Sequence, residues 1–284
     1  EATLAASQPT ATTQPTAQPL PTATTESQPQ PTATTESTGS QTVDVSFEKW
    51  MESANILLYE DMAGDFRVSR YVIEALDRMG LEYIDVKDAM GRYKEQLLSG
   101  GPGGQGWDLI ISAKEARGDV QGEFYVYLND ALNEGSSVII EEWDIDGIAS
   151  GKISSILSRC GVQFQKDMVY EPLDKQLLFA LNGDHPIHHQ PNEGIALTNP
   201  SNFWVWNEYD LGDYLKLRPG SDAIPLWTAR TVTDSSYLTA VSCLDGRLII
   251  QTYGTHSYGY DRVIMMWENY IYNTLYARYQ SLQN

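Results

Sequence analysis

The chain has 284 residues and a formal net charge of -19, with 38 acidic against 19 basic side chains. A balance this acidic repels phosphate, which excludes nucleic acid and anionic membrane surfaces as expected partners. No uninterrupted apolar run approaches the roughly 18 residues that a spanning helix needs, so no transmembrane segment is expected.

Residues 1–44 contain no Lys, Arg, Trp, Tyr or Phe. Pro-Thr-Ala-Thr-Thr recurs there at Pro9–Thr13, Pro21–Thr25 and Pro31–Thr35. So little apolar surface cannot offset the entropy of ordering, and regular prolines favour extended conformations. The expectation is a disordered N-terminal stalk, whose hydroxyls also suit O-glycosylation. The segment resembles the Thr/Pro linkers of bacterial surface lipoproteins. That resemblance implies an extracellular or surface-tethered bacterial protein, with a lipid anchor upstream of residue 1. An interdomain linker is the alternative. No Asn-X-Ser/Thr sequon occurs, since Asn199-Pro200-Ser201 is blocked by its proline, and this favours a bacterial origin. Residues 45–284 keep a charge of about -15 and are long enough for a core without metal or disulfide.

Ile56–Tyr59 is an apolar run that ends in the polar turn Glu60-Asp61-Met62-Ala63-Gly64-Asp65. Val68, Tyr71, Val72, Ala75, Leu76 and Met79 recur at helical spacing, with Gly80 as C-cap. Tyr83–Val86 reads as the next strand, which completes a strand–helix–strand unit. Gly100–Gly106 is a glycine-rich connection. It lacks the Lys-Ser/Thr of a P-loop and precedes a strand, so phosphate binding is not expected.

Trp107–Ser112 is a strand, Phe124–Leu132 a helix closed by Gly135, and Ser137–Ile140 a continuous apolar strand. Continuous runs mean burial on both faces, the signature of a parallel sheet. Ile148–Leu157 reads as a helix and Val162–Phe164 begins a strand. From about 167 to 235 prolines and aromatics increase and the runs shorten. Tyr237–Leu244, Asp245-Gly246 and Arg247–Thr252 form a hairpin pattern. A last helix runs through Val263, Met266, Trp267, Tyr270, Ile271, Leu275 and Tyr276. The expected fold class is α/β. It is a doubly wound, mostly parallel, flavodoxin-like sheet with a β-rich insertion or extension.

Cys160 and Cys243 sit among apolar neighbours, far apart in sequence. Neither zinc nor redox spacing is present. Unpaired buried cysteines are the expectation, and a disulfide the alternative.

Three segments together are similar to the class I glutamine amidotransferase-like superfamily, nearest its trehalose-utilisation (ThuA-like) and related uncharacterised branches. They are Trp107-Asp108-Leu109-Ile110-Ile111 with Asn133–Ile140, the turn His185-Pro186-Ile187, and Gly246–Ile250 leading to His256 and a closing helix with Trp267, Asn269 and Asn273. The resemblance implies a catalytic Cys on the turn after the central strand. This chain has Glu141-Glu142-Trp143-Asp144 there, without Cys or Ser. A carboxylate does not replace a thiolate in glutaminase chemistry, so amidotransferase activity is not expected. His256 resembles the family's catalytic His in position, but Ser257-Tyr258 follows it where the family has Pro-Glu.

In open α/β sheets ligands bind beyond the carboxyl ends of the strands. The candidates there are Glu60, Asp61 and Asp65, then Ser112, Lys114 and Glu115, then Glu141, Glu142, Trp143, Asp144 and Asp146, and finally His256. Glu141, Glu142, Asp144 and His256 are the catalytic candidates for a carbohydrate hydrolase, because clustered carboxylates raise one another's pKa. Glu60, Asp61, Lys114 and Trp143 are the candidates for ligand contact. No cofactor is expected, with a divalent cation on the acids as the alternative. His185, His188 and His189 do not present the geometry of a zinc site.

The chain has 17 Tyr and 7 Trp against 6 Phe, a composition suited to wet surfaces and sugar faces. Trp204 and Trp206 share a strand face. Tyr253, Tyr258 and Tyr260 lie in a glycine-rich stretch that reads as a binding loop. The leading expectation is a non-catalytic binding module for a glycan or envelope protein. A carbohydrate hydrolase and a structural component of an extracellular assembly are the alternatives.

Overall fold

A computed structural model describes residues 45–61, 69–114, 120–169, 177–197, 210–229 and 235–283. The stalk, Asp65, Glu115 and Phe203–Trp206 lie outside the described residues. Helix α1 spans Val45–Met51 and strand β1 Ile56–Glu60, followed by α2 (Tyr71–Arg78), β2 (Ile84–Asp85) and α3 (Met90–Ser99). Then come β3 (Leu109–Lys114), α4 (Glu123–Asn133), β4 (Ser137–Glu142), α5 (Ile153–Arg159) and β5 (Val162–Val169). The remainder is β6 (Phe179–Ala180), β7 (Asp210–Leu217), β8 (Ile224–Thr228), β9 (Leu238–Cys243), β10 (Leu248–Gln251) and α6 (Tyr260–Gln283).

The strands join one sheet in the order β2-β1-β3-β4-β10-β9-β7-β5, with β8 on β9 and β6 on β8. The first five pair parallel with one another. Their order is the flavodoxin order, with β10 in the fifth place. The rest pair antiparallel and form the β-rich extension.

Burial on both faces explains the continuous apolar runs. Ile56, Leu58, Leu109, Ile111, Ile139 and Ile249 point into the layer that holds α2 and α6. Leu57, Ile110, Val138, Ile140, Leu248 and Ile250 point into the layer of α3, α4 and α5. The alternation follows from the two-residue period of a strand. The fold is therefore α/β and doubly wound, and residues 43–284 form one compact unit. No helix among the described residues is long and apolar enough to cross a membrane.

The sheet order and two differences from the sequence reading have physical causes. The strand expected from Val162 runs to Val169 as β5 and pairs with β7 at the far edge, while β10 takes the place beside β4. Ile148–Lys152 precedes α5 as turns and a bend that include Gly151, and the helix starts at Ile153. Cys160 and Cys243, expected to be unpaired, form a disulfide with Cα atoms 5.3 Å apart. The extension causes this, because it lays the C-terminus of α5 against the end of β9.

Gly212 marks another close approach. Its φ is +136°, and a Cβ there would overlap the Thr252 carbonyl. That contact lets the Asp213 N–H donate to the Thr252 carbonyl at 2.8 Å, which docks β7 beside the end of β10.

Candidate functional site

The strand order reverses between β1 and β3, so the switch-point crevice opens where Glu60 and Lys114 end their strands. Four groups of polar side chains line this carboxyl edge.

The first centres on Glu60, at the end of β1 and almost fully buried. One carboxylate oxygen accepts the Val72 N–H at 3.0 Å, in the first turn of α2. The other lies 3.2 Å from Arg70 Nε, an ion pair without hydrogen-bond alignment. Arg70 donates from both terminal nitrogens to Asp85 at 2.8 Å each, so one guanidinium faces two carboxylates. Burial pushes the Glu60 carboxyl up to about 7, against the charges of Arg70 and His256 and the N–H groups of Val72 and Ile73. His256 lies in a short turn (Thr255–Ser257) after β10, buried. Its Nε2 is 2.7 Å from the Ser69 carbonyl, and its ring packs on Tyr71 with centroids 4.3 Å apart.

The second group is Lys114, Glu142 and Tyr125. Lys114 Nζ donates to both oxygens of Glu142 at 2.9 Å, and the two side chains are 2% and 0% exposed. Tyr125, in the first turn of α4, donates its hydroxyl to Glu142, and the Asp144 N–H donates at 3.2 Å. Burial holds the Glu142 carboxyl above its ordinary value despite Lys114, Tyr125 and the Asp144 amide.

The third is Glu141 on the opposite face of β4. It accepts from Gln251 Nε2 and from Thr255 Oγ1, each at 2.9 Å. The fourth is acidic. Asp146 N–H donates to Asp213 at 2.9 Å, and burial with the charges of Asp146 and Asp144 raises the Asp167 carboxyl. No group of three or more His, Cys, Asp or Glu among the described residues is disposed to hold a metal ion.

Glu60, Lys114, Glu141, Glu142 and His256 thus gather at one edge, but Glu141 and Glu142 point to opposite sides of their strand. They do not form a pair flanking one substrate. Trp143 is buried at 8% exposure. Asp61 follows β1 in a turn, and its N–H donates to the Ala113 carbonyl at 3.2 Å. The tyrosine-rich loop differs from expectation. Tyr253 and Tyr258 are core residues in edge-to-face contact, with Tyr253 donating to Met266 Sδ at 2.8 Å. The backbone turns through the short helical turn Thr255–Ser257 with Gly254 in an ordinary extended conformation, while the rings fold inward under α6. Tyr260 is the exposed member and donates to Glu74.

Arg70, Asp85, Tyr125, Gln251 and Thr255 were not legible as site residues. Tyr125 had a signal, because α4 buries Phe124, Tyr125, Leu128 and Leu132 as one stripe. Arg70 had none, since its partners come from separate strands. The glycine-rich loop Gly100–Gly106 enters β3 from the amino edge and lies opposite the site. His185, His188 and His189 belong to a short turn, in which His185 Nδ1 accepts the Ile187 N–H and His188 Nε2 meets the Leu181 carbonyl at 2.9 Å.

Beside the second group, an open cleft of about 710 Å³ separates the first turns of α4 and α5. Gln121, Gly122, Gly147, Lys152, Ser154 and Ser155 are among its lining residues, and Tyr125 forms part of its inner wall.

No protein-family profile and no curated protein sequence matches the chain. Among solved structures, it is similar to a candidate GMP synthase component from Thermoplasma acidophilum. The identity is 12%, the TM-score 0.45, and the likeness covers 81% of this chain and 97% of that one. It is also similar to a β-galactosidase from Bacillus circulans sp. alkalophilus at 10% identity and a TM-score of 0.48, over 77% of this chain and 31% of that one. Likenesses of this size carry no argument about activity.

Proposed function

We propose that the chain is a non-catalytic binding module displayed at a bacterial cell surface, built on an amidotransferase-like domain that has lost its nucleophile. The observation that supports this most is the use of the strand-end acids within the fold. Glu142 is spent on Lys114, Tyr125 and the Asp144 amide, and Glu141 on Gln251 and Thr255. Groups engaged this fully hold the edge rigid, and rigid edges suit recognition. Both cysteines are joined in the disulfide, so neither offers a thiolate. The disulfide also supports an oxidising compartment, and with the Thr/Pro-rich segment it favours export.

A second reading has one observation in its favour. The Glu60 carboxyl, pushed to about 7 beside His256, has the proton affinity of a general acid working near neutral pH. A hydrolase on this edge would therefore use Glu60 with His256 in place of Glu141 and Glu142. Assays of the full chain on glutamine and on a panel of nitrophenyl glycosides and oligosaccharides separate the two. The binding-module reading expects product formation at background throughout. Turnover that disappears in Glu60→Gln and in His256→Ala, with both variants folded by circular dichroism, would overturn it.

A further inference from the structure

We infer that the cleft between the first turns of α4 and α5 is the binding site for a neutral saccharide, an inference that rests on the binding-module reading. Its volume of about 710 Å³ lies within the range of small-ligand pockets. The lining chemistry then narrows the ligand class. Gln121 supplies an amide and Ser150 and Ser154 supply hydroxyls, groups that both donate and accept, while Ser155 donates its hydroxyl to the Lys152 carbonyl at 2.9 Å and presents an acceptor. Such groups match sugar hydroxyls, which also do both. Among the described residues Lys152 is the one charged side chain on the lining, and no carboxylate shares it, in a protein with 38 acids. One exposed ammonium can donate to hydroxyl or ring oxygens, while the acidic surroundings disfavour an anionic ligand.

The cleft also has an apolar wall. Val126, 37% exposed, and the half-buried Ile148 both line it. A pyranose presents a C–H face that such a wall can cover. Gly122, Gly147 and Gly151 keep side chains out of the cleft and let a ligand approach the backbone. Tyr125 closes the inner end. Its hydroxyl is held by Glu142, which Lys114 holds in turn, so this wall is fixed before any ligand arrives. The buried pair thereby serves binding without touching ligand.

Gly147 provides a clean perturbation. A Cβ there meets only Asp144 Oδ1 at 3.6 Å, an ordinary contact, and the backbone is not left-handed. Gly147→Trp should therefore fold and fill the cleft. Gln121→Ala removes a hydrogen-bonding group with little change in shape. The full chain is titrated by calorimetry with maltotriose, cellotriose, chitotriose and inorganic phosphate, and backbone amides are followed by NMR. The expected result is that a trisaccharide binds and shifts the amides of Gly122, Gly147 and Gly151. Its affinity should fall by about tenfold or more in Gly147→Trp and by a smaller factor in Gln121→Ala. The inference is overturned if none of the trisaccharides binds, if only phosphate binds, or if Gly147→Trp binds as the parent does. Binding that survives Gly147→Trp would sink the cleft and leave the binding module standing. Binding accompanied by hydrolysis would sink the non-catalytic reading and leave the cleft standing.

Discussion

Lys114→Met tests how the carboxyl edge is held together. The substitution removes the ammonium that contacts both Glu142 oxygens at 2.9 Å, in a place where neither side chain reaches solvent. Stranding one member of a buried pair costs about 3–5 kcal/mol. Tyr125 and the Asp144 amide still donate to Glu142, which places the loss at the lower end, about 3 kcal/mol. For a folded unit of this size that is a fall in melting temperature of roughly 6–12 °C. The pH dependence has a definite sign. Glu142 already has a raised carboxyl pKa, and Lys114 is the largest influence opposing it. Without Lys114 the carboxyl rises further and takes up a proton more readily in the folded state. A raised folded pKa favours the fold at low pH and disfavours it as pH rises. The deficit of Lys114→Met should therefore be largest in alkaline buffer and shrink on acidification. Lys114→Met with Glu142→Leu should recover much of the loss, because no buried charge is left. Urea unfolding of the four proteins of this cycle at several pH values measures all of it. A single variant within about 1 kcal/mol of the parent, or a double variant no better than the single, would refute the reasoning.

Two further outcomes follow from the same structure. Glu60 has a folded pKa of about 7 against an ordinary value of 4.5, so its contribution to stability is full below about 4.5 and lost as pH rises through 7. Glu60→Gln should flatten that fall, by about 3 kcal/mol between pH 5 and 8, and parallel stability curves for variant and parent would contradict it. The disulfide closes a separation of 83 residues, for which chain entropy predicts about 4.5 kcal/mol. Cys160→Ala with Cys243→Ala should lose about that much in urea, and thiol titration of the denatured, unreduced parent should find no free thiol. A full complement of reactive thiols would show that the bond does not form.

The parallel half was legible because its physics is local. Ile56–Tyr59, Leu109–Ile111 and Val138–Ile140 are continuous apolar runs, and a strand buried on both faces must look like that. The helices at Tyr71–Arg78 and Tyr260–Gln283 showed their stripes for the same reason. Helix α3 was not legible, because its stripe is thin: Tyr93 is its one fully buried residue, with Met90 and Leu97 only partly buried against the same layer. Glu60, Lys114, Glu141, Glu142 and His256 could be placed at the carboxyl edge by strand polarity alone.

What each of them does there depended on partners far away in sequence. Glu142 is matched by a lysine 28 residues earlier, Glu141 by a glutamine 110 residues later, and His256 by a carbonyl 187 residues earlier. Cys160 and Cys243 meet because β10 returns to the parallel sheet after the whole extension. Tyr253 and Tyr258 turn inward because α6 covers them, although their glycine-rich context resembles a surface loop. Periodicity reports the faces an element buries and is written in neighbouring residues. Pairing across the sheet is set by the order of the strands, and only the tertiary structure decided that order here.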